Sequence, residues 1–316
     1  MISEYRIFIM RSIIILYFSI LIIVLSSCAS VSYEKELVEA YYNLGNAYSD
    51  LGKLEQSSAA FVRALQIDPS FPSAAFNLGL VQIQSGNYQS GIKVLEDLLK
   101  KEPENILVLK VLAWGYFQNN SILKSIEIYE SIVKIDPFNV DVLNNLTILM
   151  ISILMYEDVY PYLVRLEEAG VETGSNYYNL GLTERELEIS TGLKWFEKAY
   201  EKESSLEKNV IALIGALKID LDYNRVVELY DVLLSMNSKP EFYFDKAFIL
   251  LTSIEDYEKG IPALEVALQK GFNDNEKIDE LKNYNDLLDK DKILGVFIDY
   301  PPIEPLIESE VPEIQD

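Results

Sequence analysis

The 316-residue sequence contains no histidine, and its only cysteine is Cys28. Without histidine, the chain lacks the commonest general base, the Ser-His-Asp and Cys-His arrangements, and histidine-based metal sites. A single cysteine excludes an intramolecular disulfide and a cysteine cluster. The segment 170–174 (GVETG) lacks the lysine of a phosphate-binding loop, and the carboxylates show no spacing that singles out an acid/base pair. We therefore predict that the protein is not an enzyme and has neither a cofactor nor a metal site.

Positive charge is also scarce. Twenty-seven lysines and arginines stand against fifty aspartates and glutamates, which gives a formal net charge of −23. A chain this acidic is repelled by phosphate backbones, so we expect no nucleic-acid partner and favour neutral or basic protein partners. The chain is nevertheless 49% hydrophobic, which is enough for a well-buried core.

The chain has no long hydrophobic run of membrane-spanning length. Its main apolar run covers residues 13–25, is interrupted only by Ser19, and follows Arg6 and Arg11. This order is typical of an export signal, and a bilayer needs about 20 apolar residues. The next residues, Leu25-Ser26-Ser27-Cys28, resemble the bacterial lipobox. An uncleaved anchor and a plain secretory peptide with an idle cysteine are the alternatives.

The lipobox resemblance implies a signal peptide over residues 1–27 and fatty acyl chains on Cys28 of the mature protein. Several acyl chains would hold the protein stably to a membrane. Residues 28–36 would then form a lipidated linker. We expect a location in the cell envelope, anchored to a membrane and facing the periplasm or the exterior.

A three-residue motif recurs at a fixed spacing along the chain. Asn-Leu-Gly begins at Asn43, Asn77 and Asn179, and the related Asn-Leu-Thr begins at Asn145. The four motifs are separated from one another by multiples of 34 residues. Prolines at 69, 103 and 137 keep the same spacing. Since proline cannot continue a helix, these prolines mark boundaries between units. Apolar and small residues with helical periodicity within each unit indicate two helices per unit.

The pattern resembles the tetratricopeptide repeat (TPR), with Tyr41, Leu44, Gly45, Tyr48, Ser57, Phe61, Ala64 and Pro69 at its signature places in the first unit. The resemblance implies an all-α, right-handed superhelical solenoid of about seven helix pairs over residues 37–273. For the weaker sixth and seventh units we assign Ile211, Gly215, Tyr243 and Ala247 to the signature places. We predict one capping helix over 274–295 and an acidic, proline-rich tail over 296–316. Pro161 and Pro262 predict a kink or a shortened helix.

In this family the first helix of each pair lines a concave groove that contacts ligands. Carried over to this sequence, the groove positions are Tyr42, Asn43, Asn46, Phe76, Asn77, Leu80, Lys110, Trp114, Phe117, Asn144, Asn145, Ile148, Tyr178, Asn179 and Leu182. Two interpretations of the recurring asparagines remain open. They form a ladder that hydrogen-bonds the backbone of an extended peptide, or they are the repeat's common residue and bond water or a neighbouring helix.

The aromatic residues at these positions are typical of binding anchors, with core packing as the alternative. Lys110 is the only basic residue among them, which argues against capture of a terminal carboxylate. We therefore expect a membrane-anchored scaffold that binds an extended peptide or an envelope protein through its groove. The alternative is an accessory lipoprotein of a solute transport system that docks a solute-binding protein and holds a small ligand.

Overall fold

The computed structural model describes residues 34–285, 287 and 289–301. In this part of the chain all regular structure is helical and no strand occurs, which confirms the all-α prediction. The predicted signal peptide, Cys28 and residues 302–316 of the predicted tail lie outside the described residues. The chain divides into two compact units at residues 150 and 151.

The first unit is built from seven successive helices. They are α1 (34–50), α2 (Leu54–Ile67), α3 (Pro72–Gln84), α4 (Tyr88–Leu99), α5 (Ile106–Gln118), α6 (Ile122–Ile135) and α7 (Val140–Ser152), whose end reaches the boundary between the units.

The second unit contains the remaining nine helices of the described chain and one π-helical segment. They are α8 (Tyr156–Glu168), α9 (Gly174–Glu186), α10 (Leu193–Lys202), α11 (Glu207–Ile219), α12 (Tyr223–Met236), α13 (Pro240–Ile249), the π segment (Leu250–Ile254), α14 (Tyr257–Gln269), α15 (Asn275–Asn283) and α16 (Lys290–Asp299).

Small residues let the two helices of a pair approach closely. The hydroxyl of Ser57 in α2 donates a 2.8 Å hydrogen bond to the carbonyl oxygen of Gly45 in α1. Two repeats later, Ser125 makes the same 2.8 Å bond to the carbonyl of Ala113. Gly91 takes the equivalent place in α4, where an added Cβ would lie 2.7 Å from the Gly79 carbonyl oxygen. The 34-residue spacing of these small residues thus reflects one recurring close contact between helices.

The leucines that recur at the repeat spacing belong to the core between helices. Leu78 and Leu112 are 5% and 2% exposed, whereas their equivalent Leu44, in the first described helix, is 41% exposed. In a packed interior each such leucine contributes about 1.5–3 kcal/mol through burial. The contribution of Leu44 within the described structure is accordingly smaller.

In the sixth and seventh units the predicted positions Ile211, Gly215 and Tyr243 are wrong by one residue, whereas the predicted Ala247 is fully buried. Val210 and Ile214 are buried in α11, while the predicted Ile211 is 45% exposed and a Cβ built on Gly215 would meet no atom within 4 Å apart from its chain neighbours and the backbone of its own helix. In α13, Phe244 is buried and the predicted Tyr243 is only half-buried. Gly215 matches the small residue of the repeat pattern, but in this repeat the bulky side chain of Ile214 occupies the place that glycine holds elsewhere.

The C-terminal cap consists of two helices rather than the single helix predicted over 274–295. Helix α15 ends at Asn283, where extended Tyr284 breaks the helix, and α16 begins after Asp289. Val296 and Phe297, predicted to belong to the tail, are helical and buried in the same core cluster as Ile278. Burial of these apolar side chains explains why α16 extends beyond residue 295.

The two internal prolines do not shorten their helices. Pro161 lies in α8 and Pro262 in α14, and each helix has 13 residues. Both prolines are exposed, as are Glu157 and Glu258, whose carbonyls lose their helical partner. Water can solvate these carbonyls, which lowers the cost of an internal proline.

Candidate binding cleft

Helices α5, α6 and α7 enclose a cleft of about 430 Å³ in the first unit. Apolar and aromatic side chains make up most of its lining. The lining residues are Leu107, Lys110, Val111, Trp114, Phe117, Tyr129, Asn145, Ile148 and Leu149. We refer to this surface as the Trp114 cleft.

The composition of α5 explains why the cleft is apolar. This helix is hydrophobic on nearly every side, and it buries one face, including Leu109 and Leu112, in the core. Its other face presents Leu107, Trp114 and Phe117 to the cleft, with Leu107 59% and Phe117 43% exposed. A helix that is apolar all round normally lies in a protein interior. The exposed face of α5 is therefore suited to being covered by another molecule.

Three residues with polar groups, Lys110, Tyr129 and Asn145, line the cleft beside the apolar wall. The ammonium of Lys110 lies 3.2 Å from Oδ2 of Asp141, whose side chain is 78% exposed. Burial raises the pKa of Tyr129, and a hydrogen bond with Asn145 partly offsets that rise. An exposed ion pair contributes only about 0–1 kcal/mol, so Lys110 can exchange Asp141 for a ligand group at little cost.

The structure brings five of the fifteen predicted groove residues together in this cleft: Lys110, Trp114, Phe117, Asn145 and Ile148. The prediction missed Leu107, Val111, Tyr129 and Leu149, which also line the cleft. Tyr129 comes from the second helix of its pair, which the first-helix rule does not consider. Leu107 and Val111 lie one helical turn from predicted positions on α5, so helical periodicity indicates their place.

Three other predicted residues, Tyr42, Phe76 and Asn77, line a neighbouring cleft of about 340 Å³ in the first unit, which shares Leu107 with the Trp114 cleft. There the side-chain amide of Asn77 donates to Oδ1 of Asn46 at 2.8 Å and to the hydroxyl of Tyr42 at 3.4 Å. Asn77 therefore links two adjacent first helices, as the structural interpretation of the asparagines proposes.

The remaining predicted residues of the first unit differ in exposure. Asn43 is exposed, whereas Leu80 and Asn144 are half-buried. The backbone carbonyl of Asn144 accepts a 3.0 Å hydrogen bond from the hydroxyl of Thr147. None of these three lines either cleft of the described first unit.

Tyr178, Asn179 and Leu182 lie on α9 in the second unit, and all three are half-buried. The ring of Tyr178 packs 5.9 Å from that of Phe196, and the ammonium of Lys208 lies 4.7 Å from its centroid. The contact with Phe196 lies within the repeat formed by α9 and α10, and the contact with Lys208 joins that repeat to α11. Whether any of the fifteen residues contacts a ligand stays a prediction.

Two models of the tetratricopeptide repeat match the chain, one at residues 38–71 and one at residues 73–105. The chain carries tetratricopeptide repeats. The matched ranges coincide with the helix pairs α1–α2 and α3–α4, so the 34-residue spacing, the helix boundaries and the family models agree on these two TPR units.

Curated proteins with TPR-like similarity match only part of this chain. A peroxisomal targeting signal receptor from Eremothecium gossypii is 40% identical over 76 residues, which are 24% of this chain and 13% of the receptor. The protein O-mannosyl-transferase TMTC3 of Homo sapiens is 32% identical over 112 residues, which are 34% of this chain and 12% of the transferase. The chain thus spans about an eighth of the length of these relatives.

Solved TPR structures extend the similarity in fold. A tetratricopeptide repeat protein from Parabacteroides merdae has a TM-score of 0.52 and 15% identity, and covers 78% of this chain and 98% of its own. YrrB, described as a TPR protein with an unusual peptide-binding site, has a TM-score of 0.50 and 18% identity, and covers 58% of this chain and 96% of its own. At these identities the similarity concerns the TPR fold alone.

The described part of the chain contains neither a candidate metal site nor a candidate membrane span. No group of three or more cysteines, aspartates and glutamates in residues 34–301, with the two gaps noted above, could hold a metal ion. None of the helices in the same residues has the length and apolar character required to cross a membrane.

Proposed function

We propose that the protein is a membrane-anchored TPR scaffold of the bacterial cell envelope, which binds an extended segment of a partner protein in the Trp114 cleft. The observation that carries this proposal is the apolar cleft itself. Trp114, Phe117 and Ile148 share one concave surface, and Phe117 and Ile148 remain 43% and 59% exposed. Concave, mostly apolar surfaces with a few polar groups are the usual form of binding sites.

The shape of the lining favours a segment with at least one bulky apolar side chain. Such a side chain would be buried against Trp114 and Phe117, and aromatic residues of this kind supply much of the binding free energy at interfaces. Asn145 offers a donor and an acceptor, which suits a peptide group of the bound segment. A hydrogen bond of this type contributes about 1 kcal/mol.

Charge restricts the choice of partner further. The net charge of −23 disfavours acidic segments, because they would be repelled over several ångströms at physiological ionic strength. Lys110 is the one basic group in the cleft lining, and Asp141 already neutralises it. We therefore propose a neutral or basic, apolar-containing segment as the ligand.

The proposed anchor is a lipid on Cys28, which lies six residues before the first described helix residue. Such a short linker would keep the TPR units near the membrane surface. A partner bound in the cleft would consequently be held beside the membrane, which is the proposed purpose of the scaffold.

Photo-crosslinking in cells tests the binding site. A photoreactive amino acid is placed at position 114 and, as a control, at Leu123, which is 69% exposed on α6 and does not line the cleft. We expect position 114 to capture one or a few proteins that position 123 does not. Identical crosslinked products from both positions would contradict a specific site in the cleft.

A further inference from the structure

A cluster of charged and aromatic residues in the second unit surrounds a cavity of about 200 Å³. Its lining includes Lys218 from α11, Asp245 and Phe248 from α13, and Lys277 and Glu280 from α15. At roughly 30 Å³ per water molecule, the cavity has room for about seven water molecules or for a small organic molecule. It contains no residue of the Trp114 cleft.

Lys218 is the unusual member of this cluster. Its ammonium donates a 3.0 Å hydrogen bond to the hydroxyl of Tyr230, and it lies 5.3 Å from the centroid of the same ring. No carboxylate oxygen of the described residues lies within ion-pair distance of it. A partly buried ammonium without a carboxylate partner is costly, which makes it receptive to an anionic ligand.

Asp245 makes no ion pair with Lys218, and other groups already use its two oxygens. Oδ1 accepts a 2.7 Å hydrogen bond from Lys277, and Oδ2 accepts a 3.4 Å bond from the hydroxyl of Tyr230. Burial lowers the pKa of Lys218; the nearby charge of Asp245 opposes this shift, and that of Lys277 adds to it. The first charge available to a ligand in this cavity is therefore the positive charge of Lys218.

The second available charge is negative. Glu280 lines the same cavity, is exposed, and makes no ion pair with a lysine or arginine of the described chain. A ligand that carried only a carboxylate would gain from Lys218 but would be repelled by Glu280. A ligand with a carboxylate and an ammonium close together would satisfy both groups.

The aromatic wall of the cavity is held in place by a rare backbone feature. Helix α13 passes directly into the π-helical segment Leu250–Ile254, and the hydroxyl of Thr252 donates a 2.6 Å hydrogen bond to the carbonyl of Phe248. The ring of Tyr284 meets that of Phe248 edge-on, with centroids 6.4 Å apart.

We propose that this cavity binds a free α-amino acid, with its carboxylate on Lys218, its ammonium on Glu280 and its side chain against Phe248. The cluster would then act as a small-ligand site independent of the Trp114 cleft. A charge-assisted hydrogen bond to each end would distinguish the zwitterion from derivatives in which one end is blocked.

Isothermal titration calorimetry of the full chain in detergent tests this proposal with L-alanine, L-leucine and L-phenylalanine. For the amino acid that binds most tightly, the amide and the N-acetyl derivative are titrated as well, together with inorganic phosphate. We expect each derivative to bind at least about tenfold more weakly than the zwitterion, since each loses one charge-assisted bond. Absence of binding by all three amino acids at millimolar concentration, or equal affinity for phosphate, would overturn the proposal.

Two substitutions assign the ends of the ligand. Lys218→Met should weaken binding of the amino acid by at least about tenfold and leave the affinity for its amide unchanged. Glu280→Gln should weaken binding of the amino acid and leave the affinity for the N-acetyl derivative unchanged. Lys292→Met and Glu276→Gln are matched controls, since Lys292 is a 70% exposed lysine on α16 and Glu276 an exposed acid on α15. If Lys218→Met loses its helical circular dichroism, Tyr230→Phe replaces it, because it removes the hydroxyl that holds Lys218. Affinities unchanged in the folded variants would refute the assignment.

Discussion

The side-chain amide of Asn77 donates a 2.8 Å hydrogen bond to Oδ1 of Asn46, one repeat earlier. For Asn77, this contact supports the interpretation that the recurring asparagines bond a neighbouring helix. Asn145 is the equivalent of Asn77 two repeats later, and the equivalent of Asn46 is there Trp114. Asn145 therefore has no asparagine to bond at that position, and it hydrogen-bonds Tyr129. Asparagines at the same repeat position thus have different structural partners, and Asn145 lines the Trp114 cleft while Asn77 lines the cleft that contains Tyr42.

The Asn77–Asn46 bond predicts a difference between equivalent asparagines. Asn77→Ala should lower the free energy of unfolding by about 1 kcal/mol, because it removes a half-buried hydrogen bond and leaves Asn46 with an unused acceptor. Asn43→Ala changes the equivalent, exposed asparagine one repeat earlier and should alter stability by less than about 0.5 kcal/mol. Urea denaturation followed by circular dichroism measures both. Equal losses in the two variants would argue against a special structural role for Asn77.

Two glycines inside helices should respond to alanine in opposite directions. A Cβ on Gly91 would lie 2.7 Å from the carbonyl oxygen of Gly79, whereas one on Gly215 meets no atom within 4 Å apart from its chain neighbours and the backbone of its own helix. Gly91→Ala should therefore destabilise the protein by about 1–3 kcal/mol through overpacking. Gly215→Ala should stabilise it by about 0.5–1 kcal/mol, because alanine is the better helix former. Thermal and urea unfolding measure both, and a loss of stability in Gly215→Ala would contradict the packing described for α11.

These glycines also show how far the sequence predicts the fold. The pairs Gly45–Ser57 and Gly79–Gly91 follow the repeat pattern because a close helix contact admits only small residues there. Gly215 breaks the rule: in its repeat, Ile214 fills that place, and tertiary packing decides the register. Sequence spacing alone does not distinguish a glycine required by a neighbour from one that lies beside open space.

The candidate site was predictable to a similar degree. Trp114 and Phe117 follow from the repeat positions of α5, but Tyr129 reaches the cleft from α6, and only three-dimensional packing reveals that approach. The second-unit cavity had no sequence signal, because Lys218, Asp245 and Glu280 are distant in sequence and belong to three different helices. Whether these charged groups can bind a ligand depends on which of them already have ion-pair partners, and the sequence does not show this.

Tyr116 makes the stability of the protein sensitive to alkaline pH. Burial and a hydrogen bond to Glu96 raise the pKa of Tyr116 to about 12. Because folding favours the protonated phenol, this contribution is complete below about pH 10 and is lost as the pH rises towards about 12. Urea denaturation at several pH values should show a smaller decline over this range for Tyr116→Phe than for the unmodified chain. In Glu96→Gln the pKa of Tyr116 in the folded protein should be raised less, so the decline in stability should be smaller and should end at a lower pH. Identical declines in all three proteins would exclude the effect.

Lipidation of Cys28 is tested independently of the fold. We expect Cys28→Ser to abolish incorporation of labelled palmitate in bacterial cells and to prevent maturation of the chain, because serine offers no thiol for the diacylglyceryl group. Ser27→Ala keeps a small residue before the cysteine and should be labelled like the unmodified chain. Labelling of Cys28→Ser at the normal level would refute the proposed anchor and leave the Trp114 cleft unaffected.

The most direct test of the proposed function is the affinity of the segment captured from position 114 for purified variants. Trp114→Ala should weaken binding by about 30-fold or more, since truncation of a central aromatic anchor costs about 2 kcal/mol or more. Leu123→Ala, which removes a 69% exposed side chain outside the cleft, should bind within about twofold of the unmodified chain. If Trp114→Ala binds the segment as tightly as Leu123→Ala, the Trp114 cleft is not the binding site.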